Sequence, residues 1–391
     1  MTTASPTSLV AEPEERAELR RTVSAIAGRF GHRYYADEAR SGGHAIELWE
    51  ALGGAGFLGV NLPERYGGGG GGIGDLAAVQ EELGAVGCPL LMIVVSPAVC
   101  APLVMRFGTP EQCARWLPGI ASGEVVMSFA ITEPDAGSNS HRIRTTAERT
   151  AGGWRLRGAK HYISGVDRAA GMIVVARTGP TRPEGRGELS LFVVETDRPG
   201  IVADRIETEV ISPEHQFSVF FDDVDLPGTA LLGEEGQGLR QVFSGLNPER
   251  ILSAAVCTGL GRYLLDRAAD YARERVVWSA PIGTHQAVAH PLARAKIALE
   301  SARLLAGRAA ALYDAGAAAG EAANMAKFAA AEAASDSLDC AVQTHGGHGL
   351  SREHGIADLW GLVRLYRIAP VSQEMILNYV AGHSLGLGRS Y

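Results

Sequence analysis

The sequence predicts an α+β fold: an N-terminal helical domain, a middle antiparallel β domain and a C-terminal four-helix bundle. Apolar residues recur at helical spacing up to residue 124, and short β-rich runs separated by Gly, Pro and Asp occupy residues 125–240. Long Ala- and Leu-rich segments with few helix breakers then fill residues 241–391. A chain of 391 residues is long enough for two or three domains with large cores.

The N-terminal domain, residues 11–124, follows a predicted disordered tail over residues 1–10. Helical spacing predicts helices over 17–30, 45–52, 76–83 and 111–120. Asp75 is a candidate N-cap for the third helix, and Thr109 followed by Pro110 predicts the start of the fourth. Six consecutive glycines at 67–72 cannot lie inside a helix or strand, so they predict a mobile loop.

The middle domain is predicted from its alternating apolar runs. Strands are expected over 154–156, 172–176, 189–194 and 217–221, with turns at 152–153 and 183–185. Four bundle helices are expected over 246–275, 286–315, 321–344 and 358–381. Because Ala-rich helices pack closely, the bundle also favours a subunit interface.

Composition excludes several classes of partner. A net charge of −8 argues against nucleic acid and anionic membranes, which attract basic surfaces. The five cysteines form no CxxC pair, and the N-terminus lacks the apolar stretch of a signal peptide, so we expect a reduced, cytoplasmic protein. No strand followed by GxGxxG is present, which argues against a Rossmann dinucleotide site.

The most specific string is FAITEPDAGSN, residues 129–139, preceded by FGTPEQCARWLPGIASGE at 107–124. Both resemble the acyl-CoA dehydrogenase family, whose signature ends in TEPxAGSD, and only Asn139 departs from it. The resemblance implies FAD as cofactor. It places Phe129, Ile131 and Thr132 along the isoalloxazine, with Ser138 between the flavin and the acyl thioester.

A second block, GAKHYISG at 158–165, resembles the family pattern GxKxWITN. Tyr162 stands where Trp is usual and is expected to pack beside the flavin ring. Ser164 replaces Thr, and its hydroxyl is expected to bond flavin N5, the atom that receives the hydride. Gly165 in place of Asn is a further departure.

The bundle carries the remaining cofactor motifs. RVVWS at 275–279 resembles the family's RxxFG, so Arg275 is expected to pair with the FAD pyrophosphate through its guanidinium fork and Trp278 to stack near the adenine. His285 and Gln286 follow at the family spacing. QTHGG at 343–347 resembles QxxGG, which assigns cofactor binding to Gln343, Gly346 and Gly347.

In the family these groups serve a neighbouring subunit, which implies a homo-oligomer, with a dimer as minimum and a tetramer as the usual state. His345, His348 and His354 resemble a metal cluster only superficially, because no Cys or carboxylate completes a set at ligand spacing. No metal is therefore expected.

The catalytic base is not at its usual position. Most family members carry it in xEGTxEIQ on the last helix, but here RIAPVSQEMILNYVA at 367–381 has Pro370 at the glutamate position. Ser372 and Glu374 still match positions that face the cofactor. The branch that includes isovaleryl-CoA dehydrogenase instead keeps its glutamate on an earlier helix, just before an arginine.

That arrangement corresponds here to Glu249 and Arg250, so Glu249 is the candidate base, with Asn247 and Arg250 as candidate substrate-side residues. A carboxylate can take the α-proton of a thioester if a dry pocket raises its pKa. The alternative is a solvated glutamate in the first turn of a helix, which the helix dipole favours.

Pro370 raises a second question. In the family the main-chain N–H at that position helps to hold the substrate carbonyl oxygen, and losing one such donor typically costs about 3 kcal/mol. Proline has no N–H. Either another donor replaces it, or the pocket holds the acyl group differently.

The resemblance therefore predicts an FAD-dependent dehydrogenase that desaturates an acyl thioester, carried on CoA or on an acyl carrier protein. Its electrons are expected to pass to an electron-transfer flavoprotein or a similar acceptor. Two alternatives remain: a flavin-dependent monooxygenase or oxidase on the same fold, and a non-catalytic flavoprotein.

Overall fold

The computed structural model describes residues 12–181 and 187–388. The predicted tail at 1–10 and the predicted turn at 183–185 lie outside these residues. Within them, helices precede a single large sheet and further helices follow it, so the predicted order of helical, β and helical regions is confirmed. None of the described helices combines the length and apolar character needed to cross a bilayer.

The N-terminal region is helical, and its first helix packs on its fourth. Their bounds are α1 (Glu14–Ala27), α2 (Gly31–Ser41), α3 (Ile46–Gly54), α4 (Ile73–Ala85), α5 (Leu91–Val95), α6 (Ala101–Phe107) and α7 (Pro110–Ser122). As predicted, Pro110 is the first residue of α7 and Thr109 caps it, accepting a hydrogen bond from the Gln112 amide at 3.3 Å. The glycines at 67–72 form neither helix nor strand, but the amides of residues 68–71 donate to main-chain carbonyls of residues 59–63, so the loop is packed down.

The predicted cap of α4 is wrong. The helix begins at Ile73, so Asp75 lies inside its first turn and accepts a hydrogen bond from the Gly72 amide at 2.9 Å. The amides of Ile73 and Gly74 are bonded instead by the Asp314 carboxylate, at 2.7 and 3.0 Å. The cap therefore comes from a distant part of the chain, which local sequence patterns do not reveal.

The sheet is antiparallel except where β4 pairs in parallel with β1 and β2. Its strand order is β6-β7-β3-β2-β4-β5-β8, with β1 beside β4. The bounds are β1 (Met127–Ala130), β2 (Thr146–Thr150), β3 (Gly153–Ser164), β4 (Gly171–Thr181), β5 (Gly187–Glu195), β6 (Ile201–Ile206), β7 (Gln216–Pro227) and β8 (Leu231–Leu232).

Both faces of β4 are buried. Met172 and Val174 pack with Trp154 in the core on one face of the sheet. Ile173 and Val175 point to the opposite face and pack against α6 and α7. This two-sided burial explains why β4 is a continuous apolar run, and it fixes the N-terminal helices directly on the sheet.

The bundle consists of α8 (Gly238–Glu274), α9 (Gln286–Asp314), α10 (Gly320–His345), α11 (Trp360–Ile368) and α12 (Gln373–Tyr379). A short hairpin, β9 (Val276–Val277) and β10 (Ala280–Pro281), joins α8 to α9. The prediction of one helix over 358–381 is wrong, because the chain leaves helical geometry between α11 and α12. Pro370 lies in this break, where its ring and missing N–H prevent the helix from continuing.

Helix α8 joins the N-terminal region to the bundle. Gly84 on α4 and Gly259 on α8 cross so closely that a Cβ on Gly259 would lie 2.3 Å from the Glu81 carbonyl oxygen. One core consequently contains residues of α4, α8, α10 and α11 together. Residues 250–261 of α8 are thus buried among several elements, and Glu249 directly precedes them.

Candidate active site

Glu249 lies inside α8 rather than in its first turn, because the helix begins at Gly238. Its side chain is half-buried, which contradicts the alternative of a solvated glutamate. Burial raises the pKa of Glu249 to about 7, although Arg250 and Lys327 oppose the rise. A carboxylate with a pKa near neutral is ionised often enough, and basic enough, to accept a proton from carbon acids.

The candidate substrate-side residues lie on the same helix and contact each other. The Arg250 guanidinium donates to Asn247 Oδ1 at 3.2 Å, and the residue is only 8% exposed. Its Nε is buried with no hydrogen-bond partner among the described residues. Because buried donors are normally bonded, this Nε is available to a polar ligand atom.

The structure also places a lysine beside Glu249 that the sequence analysis missed. Lys327, on α10, is buried and its ammonium donates to the Val371 carbonyl oxygen at 2.6 Å. Burial lowers the pKa of Lys327 to about 8, while Cys257 and Glu249 act in the opposite direction. The signal was present in the sequence, since Lys327 shares an apolar helix face with Ala323 and Ala330.

The two sequence blocks expected to hold the flavin ring lie side by side. Phe129 lies in β1, and the chain continues from this strand into Ile131 and Thr132. The carbonyl oxygen of Thr132 accepts a hydrogen bond from the His161 amide at 2.9 Å. Tyr162 follows with φ of +57° and is 58% exposed, so its ring projects from the surface of the sheet. Two blocks that are separate in sequence therefore form one edge.

Ser164 ends β3 at this edge, and its hydroxyl donates to the Gln216 side-chain oxygen at 3.1 Å. Its carbonyl oxygen accepts from the hydroxyl of Ser128 on β1 at 2.7 Å. Ser138 lies further along the chain, exposed in the loop after the signature motif. The sequence analysis did not identify Gln216, which orients the hydroxyl of Ser164.

A buried ion pair fixes the backbone behind this edge. Lys160 is 0% exposed and donates to the Glu133 carboxylate at 2.9 Å and to the Ile131 carbonyl at 3.0 Å. Glu133 also accepts from the amides of Arg144 and Thr145, at 2.6 and 2.9 Å. Lys160 and Glu133 are therefore bonded to each other, to the main chain of the signature loop and to the amides of residues 144 and 145. These bonds hold the loop rigidly.

The residues predicted to bind the pyrophosphate line a cavity of about 390 Å³ in the bundle, separate from the flavin-ring edge. Arg275, Gln343, Gly346 and Gly347 line it. No heavy atom lies within 4 Å of a Cβ built on either glycine, so a side chain there would project into open space. The glycines thus leave their main chain accessible to a ligand, as close approach to a phosphate requires.

The other residues expected at the adenosine end are exposed nearby. Trp278, at the hairpin turn, has φ of +60° and is 95% exposed. His285 caps α9 and Gln286 is its first residue. The Arg275 guanidinium and the accessible glycine main chain match the anionic part of a flavin dinucleotide, and the exposed ring of Trp278 matches its planar part. These residues therefore fit FAD.

The last two candidates lie just beyond the helix break. Ser372 caps α12, accepting from the Met375 amide at 3.4 Å, and Glu374 is exposed in the first turn. Lys327 connects this segment to the surroundings of Glu249, because it bonds Val371 and its charge interacts with both glutamates.

The histidines of the QTHGG region pack as rings. His348 stacks on His354 with centroids 4.8 Å apart, and Tyr271 packs on His345 at 4.4 Å. A different cluster, His44, Asp167 and His215, brings its ligand atoms within 4.8 Å of one another in the described part of the chain. There His215 Nδ1 bonds the Asp167 carboxylate at 2.7 Å, and His44, in the α2–α3 connection, lies 3.4 Å from the same carboxylate.

Comparison with known proteins gives concordant matches along the whole described chain. Residues 13–124, 128–224 and 236–385 match the N-terminal, middle and C-terminal domains of acyl-CoA dehydrogenase, respectively. The acyl-CoA dehydrogenase FadE12 of Mycobacterium tuberculosis is 54% identical over 387 residues, covering 97% of this chain and 98% of that protein.

Solved structures agree with these matches. The glutaryl-coenzyme A dehydrogenase complex with glutaryl-CoA superposes with a TM-score of 0.92 at 29% identity, covering 97% of this chain and 98% of that one. A glutaryl-CoA dehydrogenase from Mycobacterium smegmatis in complex with FADH2 gives a TM-score of 0.89 at 25% identity, with 97% of each chain covered.

Proposed function

The chain belongs to the acyl-CoA dehydrogenase family, an FAD-dependent class that oxidises CH–CH bonds, and we propose that it desaturates an acyl thioester with Glu249 as the base. The observation that carries the proposal is the environment of Glu249. Glu249 is half-buried, burial raises its pKa to about 7, and two cationic side chains, Arg250 and Lys327, interact with its charge. A group so placed suits proton abstraction at neutral pH.

In this mechanism Glu249 takes the proton from the α-carbon of the acyl group. FAD, when bound, would supply the acceptor for the hydride of the β-carbon. The electron pair of the broken α-carbon–hydrogen bond then forms the second carbon–carbon bond. Ser164 and Tyr162 lie at the edge where the flavin ring is proposed to bind, and the Lys160–Glu133 pair keeps that edge rigid. Arg275 and the glycines of the bundle cavity hold the pyrophosphate.

Arg250 is proposed to assist substrate binding. Its buried Nε has no partner among the described residues, so it can donate to the thioester or to the neighbouring pantetheine amide. Such a donor would also offset the N–H that Pro370 cannot supply. The acyl carrier, CoA or a carrier protein, is proposed to bind outside this enclosed end.

The test is an anaerobic titration of the FAD-loaded protein with a panel of acyl-CoA and acyl-carrier thioesters, monitored by the visible absorbance of oxidised flavin. We expect bleaching in the wild type and none in Glu249→Gln with FAD still bound. Glu50→Gln is the matched control, because Glu50 is exposed on α3 and lies outside the candidate site, and it should bleach like the wild type. Glu374→Gln tests the usual position of the base.

Bleaching in Glu249→Gln but not in Glu374→Gln would move the base to α12. Flavin that no thioester reduces, but that reacts with oxygen after chemical reduction to oxygenate an added substrate, would favour a monooxygenase on the same fold. Reduced protein that is reoxidised by an electron-transfer flavoprotein would identify the proposed class of acceptor.

A further inference from the structure

Lys327 is a buried charge in a helix otherwise lined by small apolar side chains. It is 1% exposed, and its helix face is formed by Ala323, Ala326 and Ala330. Transfer of an ammonium from water to such surroundings is unfavourable unless the group is bonded and paired. The structure supplies both compensations, one from the main chain and one from charged neighbours.

The main-chain compensation is the bond from Lys327 Nζ to the Val371 carbonyl oxygen, 2.6 Å long. Val371 follows Pro370 in the segment 369–372, which separates α11 from α12. This bond ties the helix break to the middle of α10. Ser372, in the same segment, caps α12.

The electrostatic compensation comes from Cys257, Glu249 and Glu374, whereas Arg250 opposes it. Lys327 lowers the pKa of Glu249, which burial has raised, and Glu249 in turn raises the pKa of Lys327. Arg250 on α8 is the other cation that acts on Glu249, and it also bonds Asn247.

Burial keeps two further titratable groups that interact with Glu249 neutral. Cys100, which precedes α6, and Tyr366, on α11, both have pKa values raised by burial and by the charge of Glu249. Cys257 and Glu374 act on Lys327 from α8 and α12. Lys327 is thus the cation that reaches Glu249 from an element other than its own helix, among the residues that the structure describes.

We propose that Lys327 is a positioning residue for the reaction, fixing the segment 369–372 against α10 and keeping Glu249 ionised so that it can accept the α-proton. The proposal rests on the assignment of Glu249 as base under the proposed function. Lys327 does not touch the reacting carbons in this mechanism. It acts through Glu249 and through the backbone at Val371.

The experiment compares Lys327→Gln, Lys327→Met and Lys327→Arg in the FAD-bound protein. Gln retains a donor for the Val371 carbonyl without the charge, Met removes both, and Arg keeps both. Lys296→Gln is the control, since Lys296 is a half-exposed lysine on α9 that bonds Glu300 at 2.5 Å.

The readout is the ionisation of Glu249, followed by infrared difference spectroscopy of its protonated carboxyl against Glu249→Gln as pH is varied. We expect the Gln and Met variants to shift the midpoint upward, because a cation that lowers the pKa of Glu249 is lost. The acidic limb of kcat/KM should shift equally. The Arg variant and the Lys296 control should stay at the wild-type midpoint.

Unchanged midpoints in folded Gln and Met variants would overturn the proposal. It would also be overturned if both neutral variants failed to fold while the Arg variant folded, because the charge would then serve stability alone. The infrared titration needs no turnover, so it is informative even if no thioester reduces the flavin, an outcome that would reject the proposed function instead.

Discussion

The burial of Glu249 makes it a suitable base but lowers the stability of the folded protein as pH rises. Burial gives it a pKa of about 7 in the folded protein, above the value of 4.5 for an unperturbed glutamate. The folded state therefore binds this proton more tightly than the unfolded state does. As pH rises from about 4.5 through 7, the folded protein loses the corresponding stability, because the unfolded chain ionises at less cost.

Replacing this carboxyl by an amide should accordingly stabilise the protein at alkaline pH. We expect Glu249→Gln to raise the free energy of unfolding at pH 8 by up to about 3 kcal/mol, the equivalent of the pKa difference. The gain should vanish below about pH 4.5, where the carboxyl is protonated in both states. Denaturant unfolding at the two pH values measures it.

Glu374→Gln provides the comparison, because Glu374 is exposed and its pKa is lowered by hydrogen bonds to main-chain and side-chain groups of its own helix turn. It should show no gain at pH 8. An equal gain in both variants would mean that general surface charge, and not burial of Glu249, sets the effect.

At the scale of single elements, α4 depends on a cap from another region. Asp314, at the end of α9, bonds the amides of Ile73 and Gly74. We expect Asp314→Ala to lower the free energy of unfolding by about 1 kcal/mol, the usual cost of losing a helix cap, and Asp314→Asn to cost less because its amide oxygen still accepts.

Thermal or denaturant unfolding measures both variants, and Asp336→Ala serves as control because Asp336 is exposed in the interior of α10. A loss in Asp336→Ala as large as that in Asp314→Ala would argue against a capping role. Hydrogen exchange should place the destabilisation in the first turn of α4, where the freed amides lie.

The same cap marks the limit of what the sequence reveals. Periodicity identified α1, α3, α4 and α7, and the local pair Thr109–Pro110 predicted the start of α7, because each of these signals lies within one element. Asp314 lies 240 residues or more from the amides that it bonds, so no local pattern could reveal it. Pro370 is visible in the sequence, but the helical spacing on both sides of it favoured one continuous helix over 358–381.

The candidate site likewise contains residues that the sequence reveals and residues that it does not. Motif resemblance predicted Tyr162, Ser164 and Glu249 as site residues, and these assignments stay predictions. It missed Lys327 and Gln216, because these residues act through contacts that form only when distant helices and strands meet. Residues that support a site through tertiary contacts have no pattern of their own in a single sequence.

At the scale of the whole molecule, charged side chains join the N-terminal helices to the bundle. Glu81 on α4 bonds Arg20 and Arg303, each at 2.6 Å, and Glu82 bonds Arg262 on α8 at 2.8 Å. Burial would raise the pKa of Glu81, but the surrounding arginines lower it to about 2. The carboxylate is therefore ionised at any physiological pH, and the scaffold around α8 stays fixed while Glu249 titrates.

The two parts of the proposed FAD site occupy different regions of this scaffold. The flavin-ring edge lies on β1 and β3, whereas the cavity with Arg275 is formed by the ends of α8 and α10 and the hairpin between α8 and α9. The family resemblance implies that Arg275 of one subunit serves the FAD of its neighbour. In a two-fold dimer each complete site would then combine both chains.

Two inactive variants should consequently restore activity when they share a dimer. Glu249→Gln removes the base and Arg275→Ala weakens FAD binding, but in a mixed dimer one site has Glu249 from the second chain and Arg275 from the first. Random pairing makes about half of the dimers mixed, and each mixed dimer has one complete site of its two. About a quarter of all sites are therefore complete before purification. We expect co-expression, followed by purification through tags on both chains, to recover flavin bleaching that neither variant shows alone. If Arg275 instead binds the FAD of its own chain, every site in the mixed dimer lacks one of the two residues, and the co-purified protein stays inactive.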